Sequence, residues 1–566
     1  MKKLVECVPN FSEGRDQSKI NDIVQHMSSD KLITVLDVDS GADTNRTVVT
    51  IVGPPKAIKE AAFSGIKRAS EILDMSVHSG THPRMGATDV CPFIPVTGVS
   101  DQECVDLSHE VGKRVGDELG IPVYFYEKSA KKSDRIRLPD IRKGEYEGLA
   151  DKLANKNWRP DNGPSKVHIR GGATVIGCRD FLIAYNINLN TQDHRLATDI
   201  AFELREAGRS KRIPNPQSKN LLDGEIVRNK DGTPVKTKGI FKDIKAIGWY
   251  VDTFKCAQIS INFNNYKVST IHDVFDEACR LANERGVRVT GSELVGMIPL
   301  DAIIMAGQHY LKKQNRSQGV PVKDIVECAV QSLGLSDVVK FNPKEKIIDY
   351  AVTKEERPLV SMIQTEFIDV VSTNSPAPGG GSVSALAGSL GAALSSMVAA
   401  LTHEKKGMLD SKPLMDEIGL ETQKLKERLA LLIDEDTEAF NKVLEANRLP
   451  SNSEDEKQAK KQAIEIANKY AIDIPLETAQ HCKRVIEITE ALVEQGSPSS
   501  VSDAGVAAEV ALAGVRGACM NVMINLSTVD DLAYTQLKQK EVDNIIMNAE
   551  RLHKTVYEKT ISKIQN

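Results

Sequence analysis

Residues 32–73, LITVLDVDSGADTNRTVVTIVGPPKAIKEAAFSGIKRASEIL, decide the fold class that we predict for the first part of the chain. β-Branched residues dominate 32–38 and 46–52, which predicts two strands. Between Pro55 and Leu73, alanine and isoleucine recur at the three- and four-residue spacing of an amphipathic helix. Strands that alternate with helices in this way are typical of an α/β domain.

The same alternation recurs further along the chain. Residues 181–188 and 258–263 are predicted strands, and 193–207 and 270–285 are predicted helices. Between these elements, residues 209–242 are polar, basic and rich in turn-forming residues. We expect a surface hairpin or mobile flap there, which could hold an anionic ligand or be an ordinary solvated loop. The first half therefore predicts two α/β subdomains.

The second half has almost no strand signal. It follows the charged segment VTKEERP (352–358) and contains long helical patterns that predict a helical bundle. The predicted helices are 358–372, 382–403, 415–446, 455–495, 502–526 and 530–564. We thus predict a multidomain protein with α/β subdomains at 1–180 and 181–351, a linker at 352–359 and an all-α helical domain at 360–566.

The composition excludes several classes of protein. The 566 residues are 41% hydrophobic and 27% charged with a net charge of −5, which argues against a general binder of nucleic acid or anionic membranes. Nine scattered cysteines without a CxxC pair predict reduced thiols in a cytoplasmic protein. The N-terminal residues lack the apolar run of a signal peptide. The apolar stretch 382–401 consists mainly of small residues, so we expect a buried helix.

Chemistry in the first half centres on the loop HSGTHPRMGATD (78–89), which carries two histidines, an arginine and an aspartate. Histidine suits proton transfer because its ordinary pKa is about 6.5. A polar turn satisfied by these side chains is the alternative. The segments VPNFSEG (8–14) and LDVDSGADTNRT (36–47) also follow predicted strands, where ligand sites of α/β proteins form. The segment GPSKVHIRGG (163–172) could meet a flat ligand with a carboxylate tail or be an interdomain linker.

Two segments of the helical half carry candidate chemistry. The glycine run in SPAPGGGS (375–382) precedes a helix and exposes backbone N–H groups, which suits either an anion pocket or a flexible hinge. Within DEDTE (434–438), Asp436 falls beside apolar neighbours at helical spacing, which would raise its pKa and suit it to proton transfer. A charge run is more commonly a solvated face. Asp503 equally fits an ordinary residue at a helix N-terminus.

These motifs resemble those of the formimidoyltransferase-cyclodeaminase family. VECVPNFSEG, LDVDSGADTNRTV, HSGTHPRMGATDVCPFIPV, FLIAYNINL and IGWYVD resemble the glutamate formimidoyltransferase domain. APGGGSV and LLIDEDTEAFNKVLEANRLP resemble formimidoyltetrahydrofolate cyclodeaminase. The resemblance covers almost the whole chain. It implies two ferredoxin-like α+β sandwich subdomains with folate in a cleft between them, followed by a helical domain that dimerises.

The resemblance also implies site residues. His82 and Asp436 correspond to the catalytic residues of the two reactions. The implied folate contacts are Gly163, Pro164, Ser165, Lys166, Val167, His168, Ile169, Arg170, Gly171, Gly172 and Gly239. From the chemistry of the residues themselves, we add Asn10 at a strand end, Asp39 as the carboxylate that orients a cationic amidinium, and Arg46 and Arg84 as partners of the glutamate carboxylates. The predicted cyclodeaminase pocket is formed by Gly379, Gly380, Gly381, Ser382 and Asp503.

The implied function is transfer of a formimidoyl group from formimidoyl-glutamate to N5 of tetrahydrofolate, followed by ring closure with loss of ammonia. Tetrahydrofolate, with or without a polyglutamate tail, is then a co-substrate, and we expect no metal or redox cofactor because neither step changes oxidation state. We expect a homo-oligomer without nucleic-acid partners or a membrane span. Two rival hypotheses are a formyltransferase joined to a cyclohydrolase-like half and a catalytically silent folate-binding protein.

Overall fold

The chain folds into two compact units. The computed structural model describes residues 3–42, 44–80, 82–218, 220–252, 254–352 and 358–565. The first unit comprises Met1–Ala306 and Val330–Lys354, and the second comprises Gly307–Ala329 and Glu355–Asn566. Most of the predicted linker 352–359 lies outside the described residues. The predicted combination of an N-terminal α/β region and a C-terminal helical region is confirmed.

A seven-stranded sheet dominates the first part of the first unit. Its spatial order is β3-β4-β1/β2-β5-β7-β6, antiparallel except for the parallel pairs of β7 with β5 and β6. The strands are β1 (Leu4–Cys7), β2 (Asn10–Phe11), β3 (Thr34–Gly41), β4 (Arg46–Gly53), β5 (Thr88–Thr97), β6 (Val123–Glu127) and β7 (Thr174–Cys178).

Three long helices pack on one face of this sheet. The helices in this part are α1 (Gln17–Met27), α2 (Pro55–Ile72), α3 (Asp101–Leu119), α4 (Leu138–Arg142) and α5 (Leu149–Ala154). Because side chains alternate along a strand, Val5 and Cys7 enter the core under α1, α2 and α3. Glu6 therefore points to the opposite face, which those helices leave uncovered.

A four-stranded antiparallel sheet follows, with spatial order β13-β14-β8-β15. Its strands are β8 (Ile183–Leu189), β13 (Ile244–Val251), β14 (Cys256–Phe263) and β15 (Val289–Val295). Between β8 and β13, short strands form two hairpin-like pairs, as expected for 209–242: β9 (Arg209–Ser210), β10 (Arg212–Ile213), β11 (Glu225–Ile226) and β12 (Lys236–Thr237). The isoleucines of β8 and β14 are buried on one face of the sheet, with α6 in contact with β14.

Helices flank the second sheet and continue beyond it. They are α6 (His194–Leu204), α7 (Ile271–Glu284), α8 (Leu300–Lys313), α9 (Val322–Ser332), α10 (Pro343–Lys346) and α11 (Ile348–Val352). A small apolar cluster links the two sheets. It contains buried Val52 and Ile348, with Leu4, Val96, Phe181 and Met297 packed against them. The two sheets of the first unit are thus held together at one end by an apolar contact.

Long helices form the second unit, as predicted. They are α12 (Gln364–Val371), α13 (Gly380–Glu404), α14 (Lys412–Asn447), α15 (Glu454–Gln495), α16 (Val501–Leu526) and α17 (Leu532–Gln565). The predicted start of the first helix at 358 was wrong, since α12 begins at Gln364. Segments 380–404 and 498–526 are long and apolar enough to cross a membrane, but 56% and 50% of their most apolar stretches are buried inside the protein. For 382–401 this agrees with the predicted buried helix.

Small residues let α13 lie close to its neighbours. A Cβ atom at Gly388 would lie 2.3 Å from Sγ of Cys482 on α15, and one at Gly391 would lie 2.8 Å from the carbonyl oxygen of Ala507 on α16. Ser382, Ser395 and Ser396 are buried on the same helix and satisfy their hydroxyls with carbonyl oxygens. The core of the second unit therefore depends on small side chains at these positions.

We predict that Gly388→Val destabilises the helical unit. The added carbons would overlap Cys482 and Leu429, and overpacking of this kind costs about 1–3 kcal/mol. Thermal denaturation followed by helical circular dichroism should show a lower midpoint. Ala459→Val, at an exposed position of α15, is the matched control and should leave the midpoint nearly unchanged. Equal midpoints for Gly388→Val and the wild-type protein would contradict the close packing of α13.

Candidate functional site

A cavity of about 1290 Å³ lies between the uncovered faces of the two sheets in the first unit. The first sheet contributes Glu6, Asn10 and Arg46, while the second contributes Lys245 and Asn262. Phe181 and Met297 belong both to the cavity wall and to the apolar cluster, so that cluster closes one end of the cavity. A cavity of this size is large enough for a drug-sized ligand.

His82 lies in the wall of this cavity and is half-buried. Its pKa is lowered to about 4, first by burial and then by the positive charges of Arg46 and Arg142. The imidazole is therefore neutral at pH 7 and can accept a proton. The other histidine of the loop, His78, has its pKa lowered by burial, and its Nε2 lies 3.1 Å from the carbonyl oxygen of Asn45.

Three further predicted residues join His82 in the cavity wall. Asn10, Asp39 and Arg46 all line it. The Arg46 Nε donates to Asn10 Oδ1 over 2.8 Å, and burial lowers the pKa of Arg46. The two strands that carry Asn10 and Arg46 are hydrogen-bonded neighbours, so the sheet itself sets this geometry. The structure thus brings a neutral base, a carboxylate, an amide and a guanidinium to one wall.

Arg84 is not brought to the cavity. Its Nη1 and Nη2 donate to Glu147 over 2.8 and 2.7 Å, and Nη1 also lies 3.2 Å from Glu145 Oε2. The same side chain donates to the Nδ1 and the carbonyl oxygen of His78. The guanidinium therefore fastens the loop before β5 instead of facing the cavity. Nothing in the sequence signalled that its partners would come from a segment more than sixty residues away.

The predicted folate segment 163–172 does not line the cavity, and neither does Gly239. The end of the segment lies against the His82 loop, because Ala87 N donates to the carbonyl oxygen of Gly171 and Gly86 pairs with Gly172. Gly172 has a φ of +66° and its Cβ would meet the carbonyl oxygen of Met85 at 2.2 Å, so only glycine fits. Gly239 is equally confined, since its Cβ would lie 1.9 Å from the carbonyl oxygen of Arg205.

Charged residues that the sequence analysis did not select also line the cavity. Glu6 is fully buried there, and burial raises its pKa to about 7, although Arg179 opposes the shift. Arg142 pairs with buried Asp89, whose pKa is raised by burial. Glu6 could have been suspected, since it is a charge that alternates with apolar residues in a predicted strand. Arg142 follows no strand and forms no motif.

In the helical unit, Asp436 and the glycine run meet. Oδ2 of Asp436 accepts a hydrogen bond of 3.1 Å from Ser382 Oγ, and a Cβ at Gly381 would lie 2.0 Å from Asp436 Oδ1. Asp436 is largely buried, and burial raises its pKa despite the Ser382 hydrogen bonds. Glycine at position 381 thus makes room for a carboxyl group at the start of α13. This carboxyl group holds a proton more readily than an ordinary aspartate.

Asp503 is not brought to this cluster within one chain. Asn521 of α16 lies beside Gly380, with its Nδ2 3.1 Å from the position of a Cβ there. Asp503 is eighteen residues earlier on the same helix, which corresponds to about 27 Å at 1.5 Å per residue. Asn521 is therefore the α16 residue near the cluster. The sequence analysis missed it because one amide in an apolar helix resembles many others.

Known proteins share this arrangement of domains. A model described as the formiminotransferase domain, N-terminal subdomain, matches residues 4–179, and one described as the formiminotransferase domain matches 184–353. A third, described as formiminotransferase-cyclodeaminase, matches 364–544. The formimidoyltransferase-cyclodeaminase of Dictyostelium discoideum is 40% identical over 99% of both chains. The chain belongs to the formimidoyltransferase-cyclodeaminase family. The predicted family and enzyme class are thus confirmed.

Two shorter relatives each match part of this chain. The glutamate formimidoyltransferase of Streptococcus pyogenes serotype M1 is 39% identical and covers 56% of this chain and 95% of its own. The methenyltetrahydrofolate cyclohydrolase of Methylorubrum extorquens is 37% identical and covers 35% of this chain and 95% of its own.

We predict that Arg46→Gln raises the pKa of His82 from about 4 towards, but not to, its ordinary value. The substitution removes one of the two cations that disfavour the imidazolium, whereas burial, the largest cause, remains. At pH 5 the ring should then be more protonated than in the wild-type protein. NMR titration of histidine-labelled protein measures this, with His82→Gln to assign the resonance. Arg114→Gln, far along α3, should not move the midpoint. An unchanged midpoint in Arg46→Gln would contradict the proposed coupling.

Proposed function

We propose that this family member transfers the formimidoyl group of formimidoyl-glutamate to N5 of tetrahydrofolate in the first unit and closes the product to 5,10-methenyltetrahydrofolate in the helical unit. The observation that best supports the transfer reaction is the position of His82. Its neutral imidazole lies in the wall of a large cavity that is also lined by Asp39 and Arg46. Family membership over almost the whole chain supports the same pair of reactions.

In the transfer step, N5 attacks the amidine carbon and a tetrahedral intermediate expels the amine of glutamate. His82 accepts the proton from N5 and returns it to the departing nitrogen. Asp39 faces the cationic amidinium, and Arg46 holds a carboxylate of the glutamate. We propose Arg142 in place of Arg84 as the second cation near the donor, because Arg142 lines the cavity and Arg84 does not.

Substrate binding would change the pKa of His82. Arg46 and Arg142 lower the pKa of His82 in the free protein. A bound carboxylate would offset those charges, and the pKa of His82 would then rise towards neutrality, where proton transfer in both directions is efficient. The free enzyme therefore keeps the base unprotonated until the donor has entered.

In the second step, N10 attacks the same carbon and ammonia leaves, which forms the methenyl bridge. The reaction is intramolecular, so proximity supplies much of the rate. Asp436 delivers the proton to the leaving nitrogen, because burial raises its pKa and favours the protonated carboxyl group. The backbone N–H groups that begin α13 hold an oxygen or anionic group of the folate. The adjoining amide of Asn521 is the most suitable side chain to orient it.

The rival hypothesis of a formyltransferase requires a donor with a different charge. A formyl amide is neutral, whereas an amidinium is cationic, and the carboxylates of Asp37 and Asp39 in the cavity wall favour the cation. Tetrahydrofolate is the co-substrate, and the basic residues Lys236 and Lys238 at the cavity suit additional glutamate carboxylates of its tail. The chemistry requires no redox cofactor, because neither step is an oxidation or reduction.

Finer structural and cellular features complete the proposal. The second sheet follows the element order β8-α6-β13-β14-α7-β15 with spatial order β13-β14-β8-β15, which supports a ferredoxin-like α+β sandwich. The first sheet has the same core order in β3-β4-β1/β2-β5, with β7 and β6 added beside β5. Cys7, Cys91, Cys104, Cys178, Cys256, Cys482 and Cys519 form no disulfide, which supports a cytoplasmic location.

We predict that the two reactions can be removed separately. His82→Ala should lower the transfer rate by about 10²–10⁴-fold and leave cyclisation of supplied 5-formimidoyltetrahydrofolate intact. Asp436→Asn should show the reverse pattern, with transfer intact and ammonia release slowed. The assays follow 5-formimidoyltetrahydrofolate formation, methenyltetrahydrofolate absorbance and ammonia. A fully active His82→Ala protein would show that His82 is not the catalytic base. A wild-type protein that forms no methenyltetrahydrofolate would support the silent-scaffold hypothesis, and a donor preference for formyl-glutamate would support the formyltransferase.

We also propose that a second copy of this chain covers an apolar face of the helical unit. Exposed residues Val383, Leu390 and Met397 recur every seven positions on α13. Val506 and Met520 are exposed at a multiple of the same spacing on α16, which packs against α13. A seven-residue apolar repeat is the pattern of helices that pair side by side, so two copies of this face can pack together.

We predict that Leu390→Glu combined with Met520→Glu weakens self-association. Charges in the centre of an apolar interface lose hydration without gaining a partner. Analytical ultracentrifugation should show a smaller species than the wild-type protein forms at the same concentration. Leu537→Glu, on the exposed surface of α17, is the matched control and should not change the species. An unaltered sedimentation profile for the double variant would exclude this face as the interface.

A further inference from the structure

The cavity-facing side of the second sheet is unusually polar. Asn186, Asn188 and Gln258 are all less than 7% exposed, yet they lie on the face opposite to the isoleucine core. The strand register places them in rows with Glu293 and Trp249, because Asn186 pairs with Glu293, and Gln258 pairs with both Asn188 and Trp249. These five side chains therefore form one connected surface, which we call the amide face.

Hydrogen bonds connect the amide face. Gln258 Nε2 donates to Asn188 Oδ1 over 2.8 Å and to Glu293 Oε2 over 3.3 Å. Asn186 Nδ2 also donates to Glu293 Oε2 over 3.3 Å. Gln258 Oε1 accepts from the indole Nε1 of Trp249 over 2.8 Å. Every polar group of the Gln258 side chain is thus occupied within the sheet.

Some groups of the same surface are not used by these hydrogen bonds. Among the described residues, Asn188 Nδ2 donates no hydrogen bond, Asn186 Oδ1 accepts none, and Glu293 has no salt bridge. Polar groups on a buried face cost stability unless they are satisfied, and apolar side chains would stabilise such a face more readily. The remaining donor, acceptor and carboxylate oxygen therefore point to a ligand that is rich in N–H groups and also carries a carbonyl group.

The amide face continues the wall of the cavity. Lys245, Asn262, Ala184 and Val295 form a row across the second sheet that lines the cavity. Asn186 and Asn188 follow Ala184 on the same side of β8, and at 3.3 Å per residue Asn188 lies about 13 Å beyond it. On the opposing sheet, Asn10 lies at about the same distance beyond Glu6 as Asn188 lies beyond Ala184. The amide face therefore extends away from the closed end, in the same direction as the wall that carries Asn10.

Trp249 adds an aromatic surface. Its indole is 44% exposed although its N–H is fixed by Gln258, so one ring face is held in a set orientation and remains accessible. Fixed aromatic rings stack well on flat heterocycles.

We propose that the amide face recognises the pteridine ring of the folate. This inference rests on the proposed transferase function. The pteridine carries an amino group and a ring N–H side by side, which match the two oxygens of one carboxylate, and a carbonyl oxygen and ring nitrogens that match primary amides. Glu293 would repel the carboxylates of formimidoyl-glutamate or of a polyglutamate tail, which the cations Arg46, Arg142 and Lys236 of the cavity wall would attract. The pteridine is therefore the part of the substrates that fits.

Two fragments of folate test the assignment. 6-Methyltetrahydropterin has the ring without the tail, and p-aminobenzoyl-glutamate has the tail without the ring. In the full-length protein, Glu293→Gln and Trp249→Leu should each weaken binding of 6-methyltetrahydropterin by about tenfold or more, because a charged hydrogen bond or a stacking surface is lost. Binding of p-aminobenzoyl-glutamate and the KM for formimidoyl-glutamate should change less than twofold. Isothermal calorimetry measures both fragments without requiring turnover.

Control measurements distinguish a failure of the pteridine assignment from a failure of the proposed transfer reaction. Tyr250→Leu removes the neighbouring aromatic residue on the other side of β13 and should leave both fragments unaffected. An unchanged midpoint of thermal denaturation, followed by circular dichroism, reports that each variant is folded. If the variants weaken p-aminobenzoyl-glutamate instead, or neither fragment, the pteridine assignment is overturned. If the wild-type protein binds 6-methyltetrahydropterin through Glu293 but transfers no formimidoyl group, the assignment stands and the proposed transfer reaction fails.

Discussion

A β-sheet has two faces, and in the first unit the three long helices cover only one face of the first sheet while isoleucines are buried on one face of the second. The other two faces line one cavity and are sealed together at one end by Val52, Ile348 and their apolar neighbours. Because this apolar cluster closes one end of the cavity, it determines the direction in which the cavity opens. The places of Asn10, Asp39 and Arg46 in the transfer site follow from the side of the strand that each residue occupies.

Alternation along the strands explains how apolar and chemical residues share one segment. In β1, Val5 and Cys7 enter the helix-covered core, and Glu6 between them enters the cavity. In β14, Ile259 and Ile261 are core residues, whereas Gln258 and Asn262 face the other way. A shift of one residue in register would exchange these sets and bury charges among the helices. The same apolar packing that stabilises the fold therefore positions the polar wall.

Long, regular patterns were predictable from the sequence, and contacts between distant segments were not. Helical periodicity predicted α13 to α17 closely, because each helix is long and carries its own apolar stripe. The edge strand β13 was missed, since exposed Ile247 and Trp249 interrupt the usual alternation of apolar and polar residues. His82, Asn10, Asp39 and Arg46 were predicted and do share the cavity wall. Arg84 and Arg142 show the limit, because their partners were set by the tertiary fold.

The position of Glu6 has a consequence for how the enzyme responds to its surroundings. Its carboxyl group lies in the cavity wall near the sealed end, with a pKa of about 7. Small changes in pH around neutrality would therefore alter the charge within the cavity. A cationic donor would encounter a more negative interior on the alkaline side of neutrality than on the acidic side. Acidification through neutrality would thus reduce capture of the donor by the free protein, in which the pKa of His82 is still about 4.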